Sequence, residues 1–270
     1  MLIFSDINKL QTYIKQQKKL DKTIGFVPTM GGLHKGHLSL VEVAKKQSDI
    51  VVVSIFVNPA QFGENEDFDS YPRPIKDDTQ KLESLNVDVL FLPDVETIYP
   101  KNSSVFIDMG EISKILCGKT RPNFFNGIAL VITKLFNIIQ PDIAVFGEKD
   151  RQQLIMIKQL VIDLNFNIKI ISAPTIREKN GLAMSSRNSY LTDKDKKIAP
   201  LFYKILSTIK YNDDLKIIKQ QLNKYFEVDY LEILDFDTLE KITTNSKRYI
   251  VISAVILGKT RLIDNLEVKK

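Results

Sequence analysis

The chain has 270 residues, 44% of them hydrophobic and 26% charged, with a formal net charge of +5. A chain of this length buries roughly three quarters of its unfolded surface, so neither a disulfide nor a structural metal is required to hold a core. Its longest apolar runs, such as VVVSIFV at Val51 to Val57, fall far short of the roughly 20 residues that cross a bilayer, which argues against a membrane protein.

The single cysteine, Cys117, rules out an intrachain disulfide and reads as a small buried hydrophobe. A reducing cytoplasm is the compartment expected. Lysine and arginine total 38 against 33 acids and are scattered rather than gathered, so the positive balance calls for a small anionic substrate as readily as for nucleic acid.

In chain order, MLIFSDINKLQ breaks its apolar start at Asp6 and shows neither a basic leader nor a small-residue cleavage site, so no signal peptide is expected. KQQKKLDK at Lys15 to Lys22 reads as a solvated helix end. TIGFVP, DIVVVSIFV, VDVLFLP, DIAVFG and FNIKIIS are short, β-branched and apolar, as strands covered on both faces are. Helical stretches lie between them: HLSLVEVAKKQ, IKDDTQKLESL, GIALVITKLFNIIQ and RQQLIMIKQLVIDL. In the last, Leu154, Ile157, Val161 and Leu164 recur at helical spacing and predict a buried stripe. This alternation predicts a Rossmann-like, doubly wound α/β domain with a parallel sheet over residues 1–175. From residue 176 the pattern changes to a polar Gly/Ser segment, two helical stretches and the strands DYLEILDF, YIVISAVIL and TRLIDN. A smaller α+β domain over 176–270 is expected.

Both histidines of the chain fall in TMGGLHKGHLSL, Thr29 to Leu40. A strand, two glycines and a helix starting near His37 would aim main-chain N–H groups and the positive end of a helix dipole at one point, where phosphate binds. In an open parallel sheet that point lies beyond the carboxyl end of the first strand, where ligands of doubly wound folds sit. His34 and His37 would share a face and donate to phosphoryl oxygens, with Gly36 allowing close approach. A plain glycine turn and an H-x-x-H metal pair are the alternatives, although no third histidine or cysteine cluster completes a zinc site.

Further candidates also follow strands. NPAQF carries Asn58 and Gln61, or is simply a turn. GEKDRQQ places Glu148, Lys149, Asp150 and Gln153 at a helix start, where a lysine is unfavourable unless an anion binds beside it. GLAMSSRNSYL offers Ser185, Ser186 and Arg187, suited to phosphate or to a capped turn.

Taken together, VPTMGGLHKGH, IFVNPAQF, YPR, IYP, FGEKDRQQL, GLAMSSRN and KRYIVISAVILGKTRLIDN, in this order, resemble the pantothenate synthetase (pantoate:β-alanine ligase) family over essentially the whole chain. The H-x-G-H element is shared by a wider group of adenylyl-transferring enzymes. The resemblance implies ATP-dependent condensation of (R)-pantoate with β-alanine through a pantoyl adenylate, releasing pyrophosphate and AMP. It implies that Met30, Gly31, Gly32, Leu33, His34, Lys35, Gly36 and His37 line the ATP site, with His34, His37 and Lys149 catalytic. Gly147, Glu148, Lys149 and Asp150 would hold the ribose, and Ile176, Met184, Ser185, Ser186 and Arg187 would complete the ATP contacts. Gln61 and Gln153, with Asn58 and Arg121, would hold pantoate and β-alanine. Mg2+ would accompany the triphosphate, with Asp77 as a direct or outer ligand. A homodimer formed through the first domain, with no nucleic-acid or membrane partner, is implied as well.

Three departures from the family stand out. Ala60 replaces a usual Met, which would enlarge the pantoate pocket slightly. Phe124 and Asn126 stand in RPNFFNG where a His and often an Arg or a small residue are usual, and the C-terminal domain is short between Lys210 and Asp229. The rival readings are another H-x-G-H nucleotidyltransferase or tRNA-charging enzyme, and a nucleotide- or RNA-binding module without catalysis. A tRNA-charging enzyme would need an anticodon-binding region, for which the C-terminal residues leave little room, while another H-x-G-H nucleotidyltransferase acting on a small acid or nucleotide stays the alternative. A binding module lacks RNA-reading aromatics in recognisable motifs and leaves Gln61 and Gln153 unexplained.

Overall fold

β-branched runs too short to be helices, separated by amphipathic segments, fold here into a parallel sheet. The computed structural model describes residues 1–64 and 66–268. Strands β1 (Leu2–Phe4), β2 (Ile24–Thr29), β3 (Ile50–Ile55), β4 (Val89–Phe91), β5 (Ile143–Gly147) and β6 (Lys169–Ala173) pair in the order β1-β4-β3-β2-β5-β6. Every pairing is parallel. β1 has no counterpart in the sequence pattern, because three residues at a sheet edge carry no readable period.

The strand order runs outward in opposite directions from β2 and β5, so the crevice beyond their carboxyl ends is the topological switch point. Thr29 and Gly147 end those strands. On one face, Leu40, Val41 and Ala44 of helix Lys35–Lys45 and Leu82 of helix Ile75–Ser84 pack with Val27, Val51, Val53, Ile55 and Leu90. On the other, Phe136 of helix Phe124–Ile139 meets Phe26, Phe146 and Phe166 edge-on. Phe26 and Phe136 are fully buried, and each such side chain stabilises the fold by roughly 1.5–3 kcal/mol.

Helix Arg151–Asp163 departs from its predicted stripe. Leu154 and Ile157 are buried, but Leu160 and Met156 complete the apolar face, and Leu164 lies past the helix end with 46% exposure. The predicted period drifts because 151–164 has apolar residues on more than one side.

By contacts the chain divides into two units, Met1–Glu148 with Met156–Ala173, and Lys149–Ile155 with the chain from Pro174 onward. In the second, β7 (Glu227–Asp235), β8 (Tyr249–Leu257) and β9 (Thr260–Val268) form an antiparallel sheet in sequence order. Phe202, Leu206 and Leu222 from helices Pro200–Leu206 and Leu215–Leu222 pack on Val251, Val255 and Leu262. Buried Asp264 on β9 receives a two-pronged ion pair from Arg177, at 2.6 and 2.9 Å, and the guanidinium lies 4.0 Å over the Tyr203 ring. Among the described residues no helix is long and apolar enough to cross a membrane.

Candidate active site

Past the end of β2 the chain turns through Gly31 and Gly32 with φ of 84° and 61°, a left-handed conformation that favours glycine. Helix Lys35–Lys45 then begins two residues before His37, with His34 as its N-cap. The His34 Nδ1 accepts the Gly36 N–H at 3.1 Å, and the His37 Nδ1 accepts the His34 N–H at 3.4 Å. An imidazole nitrogen that accepts cannot carry a proton, so in this arrangement each ring bears its proton on Nε2 and acts there as a donor. The rings lie 4.1 Å apart, tilted by 33°.

One expectation changes here. The sequence suggests a turn that offers its main-chain N–H groups to phosphate, but those of Gly32 and Leu33 donate to the Asp78 carboxylate at 2.8 and 2.7 Å. Thr29, beneath the turn, donates to the Ser54 carbonyl at 2.8 Å and accepts the Gly31 N–H at 3.3 Å. Lys35 points into solvent, whereas Met30 and His37 are half-buried.

Beyond β3, Asn58 caps the short turn Pro59–Gln61 and is 1% exposed. Its amide nitrogen donates to Gln61 Oε1 and to the Gly127 carbonyl, both at 3.1 Å, and its oxygen accepts from Ala60 N at 3.2 Å and from the Tyr99 hydroxyl at 2.8 Å. An amide has two donors and two lone pairs, so Asn58 is committed within the protein. It orients Gln61, whose Nε2 faces the Met30 sulfur at 2.9 Å. Burial pushes the Tyr99 phenol well above its usual range and keeps it a donor. Gly127 lets helix Phe124–Ile139 approach backbone to backbone: a Cβ there would lie 2.0 Å from the Ala60 carbonyl oxygen.

Arg121 also points inward to the protein. Its guanidinium pairs with both oxygens of Glu66, at 2.6 and 2.5 Å, and donates to the Gln61 carbonyl at 3.3 Å. The Phe124 ring stacks under Arg121, its centroid 3.5 Å from the guanidinium carbon. Asn126 accepts the Met109 N–H at 3.1 Å. Both unusual residues therefore have local partners.

On β5, Gly147 lies half-buried, and a Cβ on it would meet only Leu40, at 3.9 Å; Glu148 follows it in the chain. In the second unit, the Lys149 side chain is 20% exposed, with Asp150 at 4.0 Å, and the Lys149 carbonyl accepts from Asn265 at 2.9 Å. Gln153 is half-buried in the first turn of its helix. Met184 N donates to the Ile176 carbonyl at 3.0 Å beside the Arg177–Ala183 bridge. Ser185 caps the turn Ser186–Tyr190 by accepting the Arg187 N–H at 3.3 Å.

The first unit thus places Met30 to His37 and Gly147 at the ends of the switch-point strands β2 and β5, and Asn58 and Gln61 past the end of neighbouring β3. Asp77 lies apart from Asp78 in function. Its carboxylate is 58% exposed and pairs with Lys81 at 2.6 Å. Among the described residues no group of three or more His, Cys, Asp or Glu could hold a metal. A Mg2+ ion carried by phosphates needs only one or two carboxylates and keeps several waters.

Sequence reasoning missed Asp78, Tyr99, Gly127 and Glu66. Two of them left a signal: Asp78 sits four residues before buried Leu82 on the apolar stripe of its helix, and Gly127 interrupts an apolar helical run.

The model for the family described as pantoate–β-alanine ligase matches residues 2–267. A pantothenate synthetase from Vesicomyosocius okutanii subsp. Calyptogena okutanii is 54% identical over 91% of this chain and 90% of its own. One from Carboxydothermus hydrogenoformans is 47% identical over 98% of each. The crystal structure of pantothenate synthetase from Thermus thermophilus superposes with a TM-score of 0.93 at 38% identity, covering both chains fully. That of the Francisella tularensis pantoate–β-alanine ligase, described as complexed with β-γ ATP and β-alanine, gives 0.88 at 40% identity over 98% of this chain and 97% of its own. With the fold, the H-x-G-H turn and these likenesses in agreement, the chain belongs to the pantoate–β-alanine ligase family.

Proposed function

We propose that the protein condenses (R)-pantoate with β-alanine, using ATP through an enzyme-bound pantoyl adenylate and releasing pyrophosphate and then AMP. One observation carries this reading: two imidazoles whose Nδ1 atoms accept main-chain N–H groups lie past the end of β2, and an oriented amide, Gln61, lies past the end of its neighbour β3. Donors for an anion thus follow the strand adjacent to one followed by a group that both donates and accepts, as a hydroxy acid requires.

The first step joins two anions, a carboxylate oxygen and the α-phosphorus of ATP, so the site must neutralise charge and align the reactants. His34 and His37 donate to phosphoryl oxygens. Lys149 brings positive charge to the reacting groups, and Ser185, Ser186 and Arg187 donate to phosphates. Gly147 to Asp150 hold the ribose, Ile176 and Met184 line the nucleotide, and Gln61 and Gln153 hold pantoate. Asn58 and Arg121 act behind Gln61. In the second step the β-alanine amine displaces AMP from the acyl carbon and loses its proton. Mg2+ on the triphosphate would reduce its negative charge, with Asp77 as a direct or outer ligand. A homodimer and a cytoplasmic location complete the reading, supported by the family likeness and by the lone buried Cys117. Light scattering on the purified chain tests the dimer.

Pyrophosphate should exchange into ATP when pantoate is present and β-alanine absent. Exchange that strictly requires β-alanine would remove the adenylate from the scheme.

A further inference from the structure

Successive main-chain N–H groups in a turn can form a concave anion site. At Gly32 and Leu33 such a site already holds an anion belonging to the protein. Asp78, fully buried, accepts from Gly32 with one carboxylate oxygen and from Leu33 with the other. Its charge lies in the first turn of helix Ile75–Ser84, where the helix dipole favours it. On the same helix Lys81 donates to the Leu33 carbonyl at 2.7 Å and pairs with Asp77 at 2.6 Å. One helix thereby holds both the N–H and the C=O of Leu33, the residue directly before His34. The packing is close: a Cβ on Gly31 would lie 3.1 Å from an Asp78 oxygen and from Ile55.

We propose that Asp78 and Lys81 are positioning residues for ATP. Their carboxylate and ammonium fix the Gly31–Leu33 turn before the nucleotide arrives, so that His34 and His37 meet the phosphates without reorganising the backbone. The phosphates are then bound by imidazole N–H groups and not by the glycine turn itself. This deepens the ATP reading given above and rests on it. The physical reason for a carboxylate at this place is that N–H groups removed from water without acceptors carry their desolvation cost unrepaid. A phosphate satisfies them only while bound; Asp78 satisfies them always.

The test uses the full chain and two variants. Asp78→Asn keeps the shape but sets an amide donor against one of the N–H groups, and Lys81→Met keeps the stem without the charge. ATP binding is titrated calorimetrically with no other substrate, and KM is measured for ATP, pantoate and β-alanine beside the urea midpoint. Loss of charge-assisted bonds should raise the ATP Kd of Asp78→Asn about tenfold to a hundredfold, with a smaller rise for Lys81→Met and an unchanged KM for β-alanine. An ATP Kd equal to that of the native chain in either folded variant overturns the assignment. So does a lowered midpoint accompanied by equal changes in all three KM values, which is the mark of a merely structural role. Should Asp78→Asn fail to fold, Lys81→Met decides alone. A native chain that binds ATP but makes no pantothenate would remove the proposed reaction, while the ATP titrations would still decide the role of Asp78.

Discussion

The two turns of the first unit solve the same problem with different chemistry. The turn from Gly31 to His37 is held by charge, through Asp78 and Lys81, and the turn from Asn58 to Gln61 is held by neutral groups, through the Asn58 amide, the Tyr99 hydroxyl and the Gly127 carbonyl. A site for triphosphate must tolerate strong fields, so a buried carboxylate there is useful only if its bonds are complete. A site that reads a hydroxyl needs an amide whose orientation is known. Asn58, by accepting and donating at all four positions, leaves Gln61 one orientation.

This contrast can be broken from either side. The largest effect belongs to the neutral turn. A pantoate analogue lacking the 2-hydroxyl should lose roughly ten-thousandfold in kcat/KM, because a site built to bond a hydroxyl leaves buried amides unpaired. Gln61→Leu should narrow that gap; a ratio of the two kcat/KM values that stays as large in Gln61→Leu would show that Gln61 does not read the hydroxyl. On the charged side, His37→Ala should lower kcat roughly a hundredfold to a thousandfold with the fold intact, the scale of one charge-stabilising donor. Stoichiometric zinc in the native protein, lost in the variant, would point to a metal pair instead.

Smaller effects test how the turns are supported. Gly127→Ala must displace the Ala60 carbonyl and should cost about 1–3 kcal/mol in urea unfolding, with KM for pantoate rising more than KM for ATP. An equal rise in both would mean that the two turns move together. Phe124→Leu removes the ring beneath Arg121 and should cost roughly 0.5–1 kcal/mol while leaving ATP affinity unchanged. Restoring the usual family residue with Phe124→His should fall between Leu and the native chain; a His variant weaker than Leu would contradict the stacking role.

Strand ends are readable because a β-branched apolar run broken by Asn-Pro, Gly-Glu or Gly-Gly marks them locally. The helix start at His34 escapes the sequence pattern because its cap is an imidazole, which cap patterns built on Ser, Thr, Asp and Asn do not include. Arg121 reads as a substrate ligand because a family motif carries it, while its pairing with Glu66 joins residues 55 positions apart and leaves no local trace.

The sequence by itself determined the alternation of strands and helices, the change of pattern near residue 175, the histidine pair behind two glycines, and the family. Those properties are local, set by side-chain period, backbone freedom and motif order. Only the tertiary structure decided which polar groups satisfy one another. Asp77 and Asp78 are neighbours of the same type, yet one pairs with a lysine at the surface and the other is buried under the glycine turn. The choice was made by the 3.6-residue turn of their helix against the sheet, which points adjacent side chains about 100° apart and buries one of them.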